Sequence, residues 1–525
     1  MFTFSSSLRF LLLLIFCSNP AICRIFLQKT VALSKLNAMK QTLLTGFLVA
    51  AFCATAFAQK NKAKPADNAG IKQELIQSLN NQYNYYKERA LKIWDFAEVG
   101  YKEEKSSALL QQTLKESGFN VEAAVAGLPT AFTATYGSGS PVIGILAEFD
   151  ALPGLSQTGK PEKEVNPKLN AGHGCGHHLF GVASAAAGIE LKKMIEQKKI
   201  SGTIKVFGTP AEEGGAGKVY MVREGLFQDV DIMLHWHPAD ANSANAASSL
   251  ANMSAKFRFH GISAHAAGAP ERGRSSLDAV EAMNYMVNMM REHIPSDTRI
   301  HYVITRGGNA PNVVPDFAEV YYYTRHPKRD ELARIFERIV KAANGAATGT
   351  ETKMEYEITG GVYDLLPVEV LAKAMYANLN IVGGVTYSDS EMAFGKKLQE
   401  SFITAEKPQL TRAATIDPFK KEGRSGGSTD VGDVSWVVPT VGLRTATWIP
   451  GTPAHSWQAV ACGGTEIGTK GMMVAAKTIA LTGYDLFTNA KLIEEAKAEW
   501  KKAKGENFVY KALLGDRKPA LNYRD

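Results

Sequence analysis

Ala171-Gly-His-Gly-Cys-Gly-His-His178 places three imidazoles and a thiol within six residues, His173 to His178. Cys175 and His177 are two apart, so in an extended loop both side chains point the same way. The glycines let the backbone bend close to an ion. The stretch therefore reads as half of a metal site. A closed zinc finger would need a second Cys/His cluster at short spacing, and the sequence has none. The other ligands must come from distant residues gathered by the fold, and open sites of that kind are the ones that catalyse.

Upstream of this loop, Pro141-Val-Ile-Gly-Ile-Leu-Ala147 is a short, continuously apolar run, as expected of a strand buried on both faces. It ends in Glu148-Phe149-Asp150. Downstream, Phe180 to Lys193 is Ala-rich and helical, and the strand Thr203 to Phe207 runs into Gly208-Thr-Pro-Ala-Glu-Glu-Gly-Gly215. A further strand, Asp231 to Leu234, ends in His235-Trp-His-Pro238. Three strands thus deliver ligand-type side chains at their carboxyl ends, where open α/β sheets place their sites.

The texture changes near residue 250. Met253, Ala255, Phe257 and Phe259 alternate with Ser254, Lys256, Arg258 and His260, a period of two that predicts a sheet with one solvated face. Helices near 276–293 and 329–343 and strands near 301–305, 317–324 and 353–358 complete a β-α-β-β-α-β order, the ferredoxin-like pattern. Helical periodicity resumes at Val368, a strand at 440–443 leads to Gly451-Thr-Pro-Ala-His455, and a charged helix closes the chain at 491–504. The expected organisation is an α/β, mixed-sheet catalytic domain at 71–250 and 362–525, interrupted by an inserted α+β domain at 251–361.

The formal charge of +7 looks basic, but residues 1–58 hold Arg9, Arg24, Lys29, Lys35 and Lys40 and no carboxylate. Without them the charge is +2, which removes bulk charge as an argument for nucleic acid. Met39-Lys40, the apolar run Leu43 to Phe52 and Ala56-Phe57-Ala58 read as a signal peptide within a leader at 1–58, cleaved after Ala58. The polar stretch 59–70 reads as a linker. An exported protein, periplasmic or secreted, is expected, with no membrane span after leader removal because the apolar runs are too short. Only Cys175 and Cys462 remain beyond the leader, so this is no disulfide scaffold.

Taken in order, Asp150-Ala-Leu-Pro153, Cys175-Gly-His177, Pro210-Ala-Glu-Glu213, His235-Trp-His-Pro238, Gly261-Ile-Ser-Ala-His265, Gly273-Arg-Ser-Ser-Leu-Asp278 and Asn312-Val-Val-Pro315 resemble the M20 metallopeptidase and amidohydrolase family, in its branch that deacylates amino-acid conjugates. Ser428-Thr-Asp-Val-Gly-Asp-Val-Ser-Trp436 looks like the subgroup that hydrolyses aminobenzoyl-glutamate. The resemblance implies a metal-dependent amidohydrolase acting on N-acyl or N-aroyl amino acids, with the inserted domain serving dimerisation. It implies Cys175, His177, Glu213, His235 and His455 as metal ligands, Glu212 as general base, and Asp150 as a support behind the ligands. Five ligands exceed what one tetrahedral ion needs, so two divalent ions, zinc or manganese, are expected about 3.5–4 Å apart. His265 matches a histidine that reaches the partner's active site, while Asn312 and Arg325 match positions that hold the substrate's carbonyl and carboxylate. A homodimer follows, or an oligomer with a related subunit. His178 stands where the branch commonly has an acidic residue or Asn, so it is an extra ligand, a supporting donor or a spectator. His173 and His237 read as spectators.

Gly423-Arg-Ser-Gly-Gly427 matches G-x-S-x-G but follows no buried strand, and Gly215-Ala-Gly-Lys218 fails as a phosphate loop because Val219 stands where Ser or Thr is required. The rival readings are a dipeptidase or aminopeptidase on the same fold and a non-catalytic binding protein; the presence of Glu212 argues against the latter.

Overall fold

The computed structural model describes residues 68–423 and 426–525. The leader and signal peptide expected at 1–58, and the centre of the G-x-S-x-G match, lie outside these residues. So does most of the linker expected at 59–70; its last residues instead open helix α1 (Asn68–Asn81).

Helices α2 (Tyr83–Phe96) and α3 (Glu104–Glu116) lead into strands β1 (Asn120–Ala123), β2 (Phe132–Gly137) and β3 (Val142–Ala147). Two short strands, β4 (Leu152–Pro153) and β5 (Ala171–Gly172), pair with each other and close the base of the loop between them. Then come α4 (His177–Glu196), β6 (Thr203–Gly208), α5 (Gly217–Arg223) and β7 (Ile232–Ala239). The chain next builds a separate sheet from β8 (Ala251–His260), α6 (Ser276–Met290), β9 (Arg299–Arg306), β10 (Phe317–His326), α7 (Arg329–Gly349) and β11 (Lys353–Val362). It returns through α8 (Glu369–Val382), α9 (Asp389–Gln399), α10 (Val431–Ser435), β12 (Thr440–Ala446), α11 (Trp457–Gly463), α12 (Glu466–Thr488) and α13 (Ala490–Lys504).

The first sheet has the order β1-β2-β6-β3-β7-β12, antiparallel at the β1 and β2 side and parallel from β6 to β12. It is the mixed sheet expected. β3 is buried because helices cover it: Ile143, Ile145, Leu146 and Ala147 are inaccessible. α4 carries Ala183, Ala185, Ala186 and Ala187, small enough to let it lie close to β3 and α12. Gly181 marks a close approach to the end of β3, since a Cβ there would stand 2.7 Å from the Glu148 carbonyl oxygen. Each fully buried Leu, Ile or Phe of such a core is worth about 1.5–3 kcal/mol of transfer free energy.

The second sheet has the order β11-β8-β10-β9, all antiparallel, with α6 and α7 on one face. This is the ferredoxin-like order read from the sequence. Phe257, Phe259, Val320 and Tyr322 pack against Val280, Met283, Ile335 and Ile339 to form its core. β9 is one of the two edge strands, and its Tyr302, Val303 and Ile304 are exposed. Ser275 caps α6 by accepting from the Asp278 amide, which accounts for the helix beginning where the Gly273 to Asp278 motif lies. No helix among the described residues is long and apolar enough to cross a membrane.

Candidate metal centre

Four parallel strands end on the same side and hand their following residues to one place. β3 is followed by Glu148 and Asp150, β6 by the Glu212-Glu213 turn, and β7 carries His237 near its end. β12 leads through Gly451 to His455. The Cys175 loop enters from the start of α4, whose first residue is His177.

Three groups of side chains have their ligand atoms within 4.8 Å of one another: Cys175, His177 and His237; Cys175, Glu213 and His455; and His177, Glu212 and Glu213. Cys175 Sγ lies 3.3 Å from His237 Nε2, and His455 Nε2 lies 3.2 Å from Glu213 Oε1. The rings are aimed from behind. His177 Nδ1 is 2.8 Å from Asp150 Oδ1, and His237 Nδ1 donates to the Pro238 carbonyl at 2.7 Å. A ring whose Nδ1 donates leaves Nε2 bare in its neutral form, and both Nε2 atoms face the cluster. Asp150 uses its other oxygen to accept from the Glu213 amide at 2.9 Å, so one carboxylate orients two members of the cluster.

Electrostatics point the same way. Burial raises the Glu212 carboxyl well above the usual range, and the neighbouring Glu148, Glu213 and Asp430 add to it. Burial also pushes the Cys175 thiol up. His177 is pushed down by burial, but Cys175, Glu148 and Asp150 outweigh this and hold it well above its ordinary value. An anionic pocket of this kind favours a cation. His177 Nε2 and Glu213 Oε1 are buried in the cluster and make no well-directed hydrogen bond, as expected of atoms that belong on a metal. Thiol, imidazole and carboxylate donors fit a divalent ion, and the cluster is a site for divalent metal.

The structure corrects the assignment of His235. The sequence reading ends β7 at Leu234, but the strand continues to Ala239 because β12 pairs with it as far as Ala446. His235 therefore lies in mid-strand against Gly442, and burial, with Lys218 and Arg444, lowers its pKa to about 3. His237 shares its face roughly 7 Å further along the strand, which brings it to the carboxyl end. His237 is thus no spectator but the strand's contribution to the cluster. His173 and His178 turn away: their Nε2 atoms meet the carbonyls of Ile93 and Gly463, each at 3.1 Å.

A cavity of about 800 Å³ opens over the cluster, lined by Cys175, Glu212, Glu213, His237 and His455 and, from β10, by Arg325. Arg325 donates to Ser428 Oγ at 3.1 Å. Asn312 and His265 are not in this cavity. They lie on adjoining exposed loops of the second sheet's domain, where the Ala266 amide donates to the Asn312 carbonyl at 3.0 Å. His265 Nδ1 accepts from the Ala267 and Gly268 amides, so its neutral ring carries the proton on Nε2. Asn312 and Arg325 were both expected to hold substrate; of the two, Arg325 lines the cavity near the end of β10, while Asn312 precedes the start of that strand.

Lys218, which belongs to the failed phosphate-loop match, is wholly buried behind the cluster. It bonds Glu148 and Asp430, each at 2.7 Å, and Glu148 in turn lies 3.1 Å from His177 Nε2. The one sequence signal for this is Asp430 inside the Ser428 to Trp436 segment.

The peptidase dimerisation domain model matches residues 250–351. The chain is 40% identical over 440 residues to one of the subunits of p-aminobenzoyl-glutamate hydrolase of Escherichia coli, covering 79% of this chain and 91% of that protein. It is 28% identical to a Xaa-Arg dipeptidase of Mus musculus, covering 78% of this chain and 87% of that one. Its fold is similar to that of a dinuclear metal-binding M20 peptidase from Bacillus subtilis, with a TM-score of 0.53 at 16% identity over 78% of this chain and 99% of that one. The sheet, the inserted domain and the cluster of thiol, imidazole and carboxylate ligands accord with these similarities: the chain belongs to the M20 family of metal-dependent peptidases and amidohydrolases.

Proposed function

We propose that the enzyme hydrolyses the amide of N-acyl or N-aroyl α-amino acids, aminobenzoyl-glutamate among them, with Cys175, His177, Glu213, His237 and His455 holding two ions. The observation that carries this reading is Arg325 in the wall of the same cavity as the metal cluster. Cys175, His177 and Glu213 each belong to two of the three ligand groups, which supports a pair of ions with shared ligands. Thiol and imidazoles favour zinc, and the carboxylates also suit manganese. Bound there, divalent ions supply a Lewis acid and an attacking water acidified toward a pKa of roughly 7.

The protein residues do the rest. Glu212 takes the proton from the attacking water and delivers it to the departing nitrogen. Arg325 grips the substrate carboxylate with a planar fork that suits two oxygens. Among the described residues lining the cavity, the carboxylates are Glu148, Glu212, Glu213 and Asp430. Glu148 and Asp430 are tied to Lys218, and Glu212 and Glu213 belong to the cluster. None remains to meet a free α-amine, which favours an acylated nitrogen over a dipeptide. Lys420 and Arg444 also line the cavity, so an acidic amino-acid product such as glutamate is well suited to it.

Losing the charge-assisted pair at Arg325 should cost roughly 1.5–3 kcal/mol, or about 10- to 150-fold in kcat/KM. Arg325→Ala should also discriminate poorly between an acyl amino acid and its α-amide, whereas the parent prefers the acid. A panel of acyl-Glu, acyl-Ala, acyl-Leu and dipeptide substrates measures both effects. Equal cleavage of acid and amide by the parent would remove Arg325 from this role.

The assembly expected is a homodimer. Among the described residues β9 is an edge strand with exposed Tyr302, Val303 and Ile304, and the exposed His265 of the same domain has its Nδ1 occupied by backbone amides. In this reading His265 donates to the tetrahedral oxyanion in the partner's cavity. His265→Ala and Glu212→Gln, each inactive alone, should regain turnover when co-assembled, because one of the two sites is then complete. A mixed dimer that stays inactive would rule out the exchange.

A further inference from the structure

The Glu212-Glu213 turn poses a positional problem: adjacent carboxylates must face different tasks. Its backbone is left-handed at Ala211, Gly214 and Ala216, with φ of 57°, 93° and 56°. Alanines in that region are strained and persist only where the surroundings over-determine them. Here four backbone groups of the turn meet side chains. The Ala211 amide donates to Glu103 at 2.8 Å, the Glu213 amide to Asp150 at 2.9 Å, and the Gly215 carbonyl accepts from Tyr101 Oη at 2.8 Å. The Glu213 carbonyl accepts from Tyr523 Oη at 3.1 Å and from Arg524 Nη2, both from the far end of the chain.

The segment that brings them is anchored along its course. Arg517 donates to the Ile358 and Thr359 carbonyls of β11, each at 2.9 Å, and pairs with Glu357. Arg223 of α5 holds the Arg517 carbonyl at 2.6 Å. At the end, the Tyr523 ring meets Tyr101 edge-on, and Asp525 pairs with Lys102 at 2.8 Å. Tyr523 Oη reaches the turn only because residue 100 is Gly, where a Cβ would stand 2.1 Å from it.

We infer that residues 517–525 form a strap whose Tyr523 and Arg524 are positioning residues for the Glu212-Glu213 turn, fixing the Glu213 carboxylate for metal and the Glu212 carboxylate for proton transfer. The inference rests on the division of roles between those two glutamates. It gives Arg524 no contact with substrate. Its action passes through the Glu213 backbone.

The test is a Tyr523→Phe/Arg524→Ala double variant of the full chain, with Arg524→Lys as the conservative variant. Zn²⁺ affinity is read by competition with a fluorescent chelator in the absence of substrate, and kcat and KM are read separately on aminobenzoyl-glutamate. Removing partners that orient ligands typically costs about 10- to 100-fold in metal affinity. The double variant should show a loss in that range, with kcat reduced and KM little changed, and Arg524→Lys should recover part of it. Because affinity is read without substrate, a loss of affinity supports the strap even if aminobenzoyl-glutamate is not cleaved. Parent-like Zn²⁺ affinity in the double variant would overturn the strap even if the amidase activity stands.

Discussion

Glu212→Gln should retain its metal and lose turnover by about 100- to 10,000-fold, the usual contribution of a positioned general base. Glutamine fills the same space but cannot accept the proton. Glu213→Gln and His237→Ala should both lose metal, the first because Glu213 contributes to two ligand groups, the second because His237 Nε2 faces Cys175 Sγ. His235→Ala should keep its metal, since His235 sits in mid-strand against Gly442. Metal analysis of the four proteins, alongside kcat, separates base from ligand. A metal-free Glu212→Gln beside a metal-replete Glu213→Gln would reverse the two roles. Metal loss in His235→Ala but not in His237→Ala would restore His235 as the ligand.

The parts of this site that could be read in advance are those with a local signature. The Cys175 to His178 loop concentrates donors in adjacent residues, and the Glu212-Glu213 pair sits between Pro210 and glycines. The strand before the Cys175 loop, Val142–Ala147, is a continuous apolar run. The second sheet was legible because its period of two and its helix spacing alternate in a known order. What stayed hidden depends on contacts far apart in sequence. His235 and His237 share one face of a strand, so only the length of that strand decides between them, and its length is set by β12, some 200 residues away. Lys218 and Asp430 meet across 212 residues, and neither has meaning without Glu148 between them. Tyr523 reaches Glu213 across 310 residues, and nothing in the local sequence of either end announces it.

The second large effect is that of the metal itself. Without divalent ions the cluster keeps an excess of carboxylates around His177, and no group in it can acidify water by the several pKa units that amide hydrolysis at neutral pH requires. Cys175 must also give up a proton that burial makes it hold, so metal occupancy should weaken as pH falls. The direct measurement is turnover of aminobenzoyl-glutamate by purified protein before chelation, after exhaustive chelation, and after return of Zn²⁺ or Mn²⁺. The expected result is activity, its loss to background, and its recovery with one of the two ions, with two equivalents bound at full recovery. Turnover undiminished after the metal has been removed, verified by elemental analysis, would contradict the account.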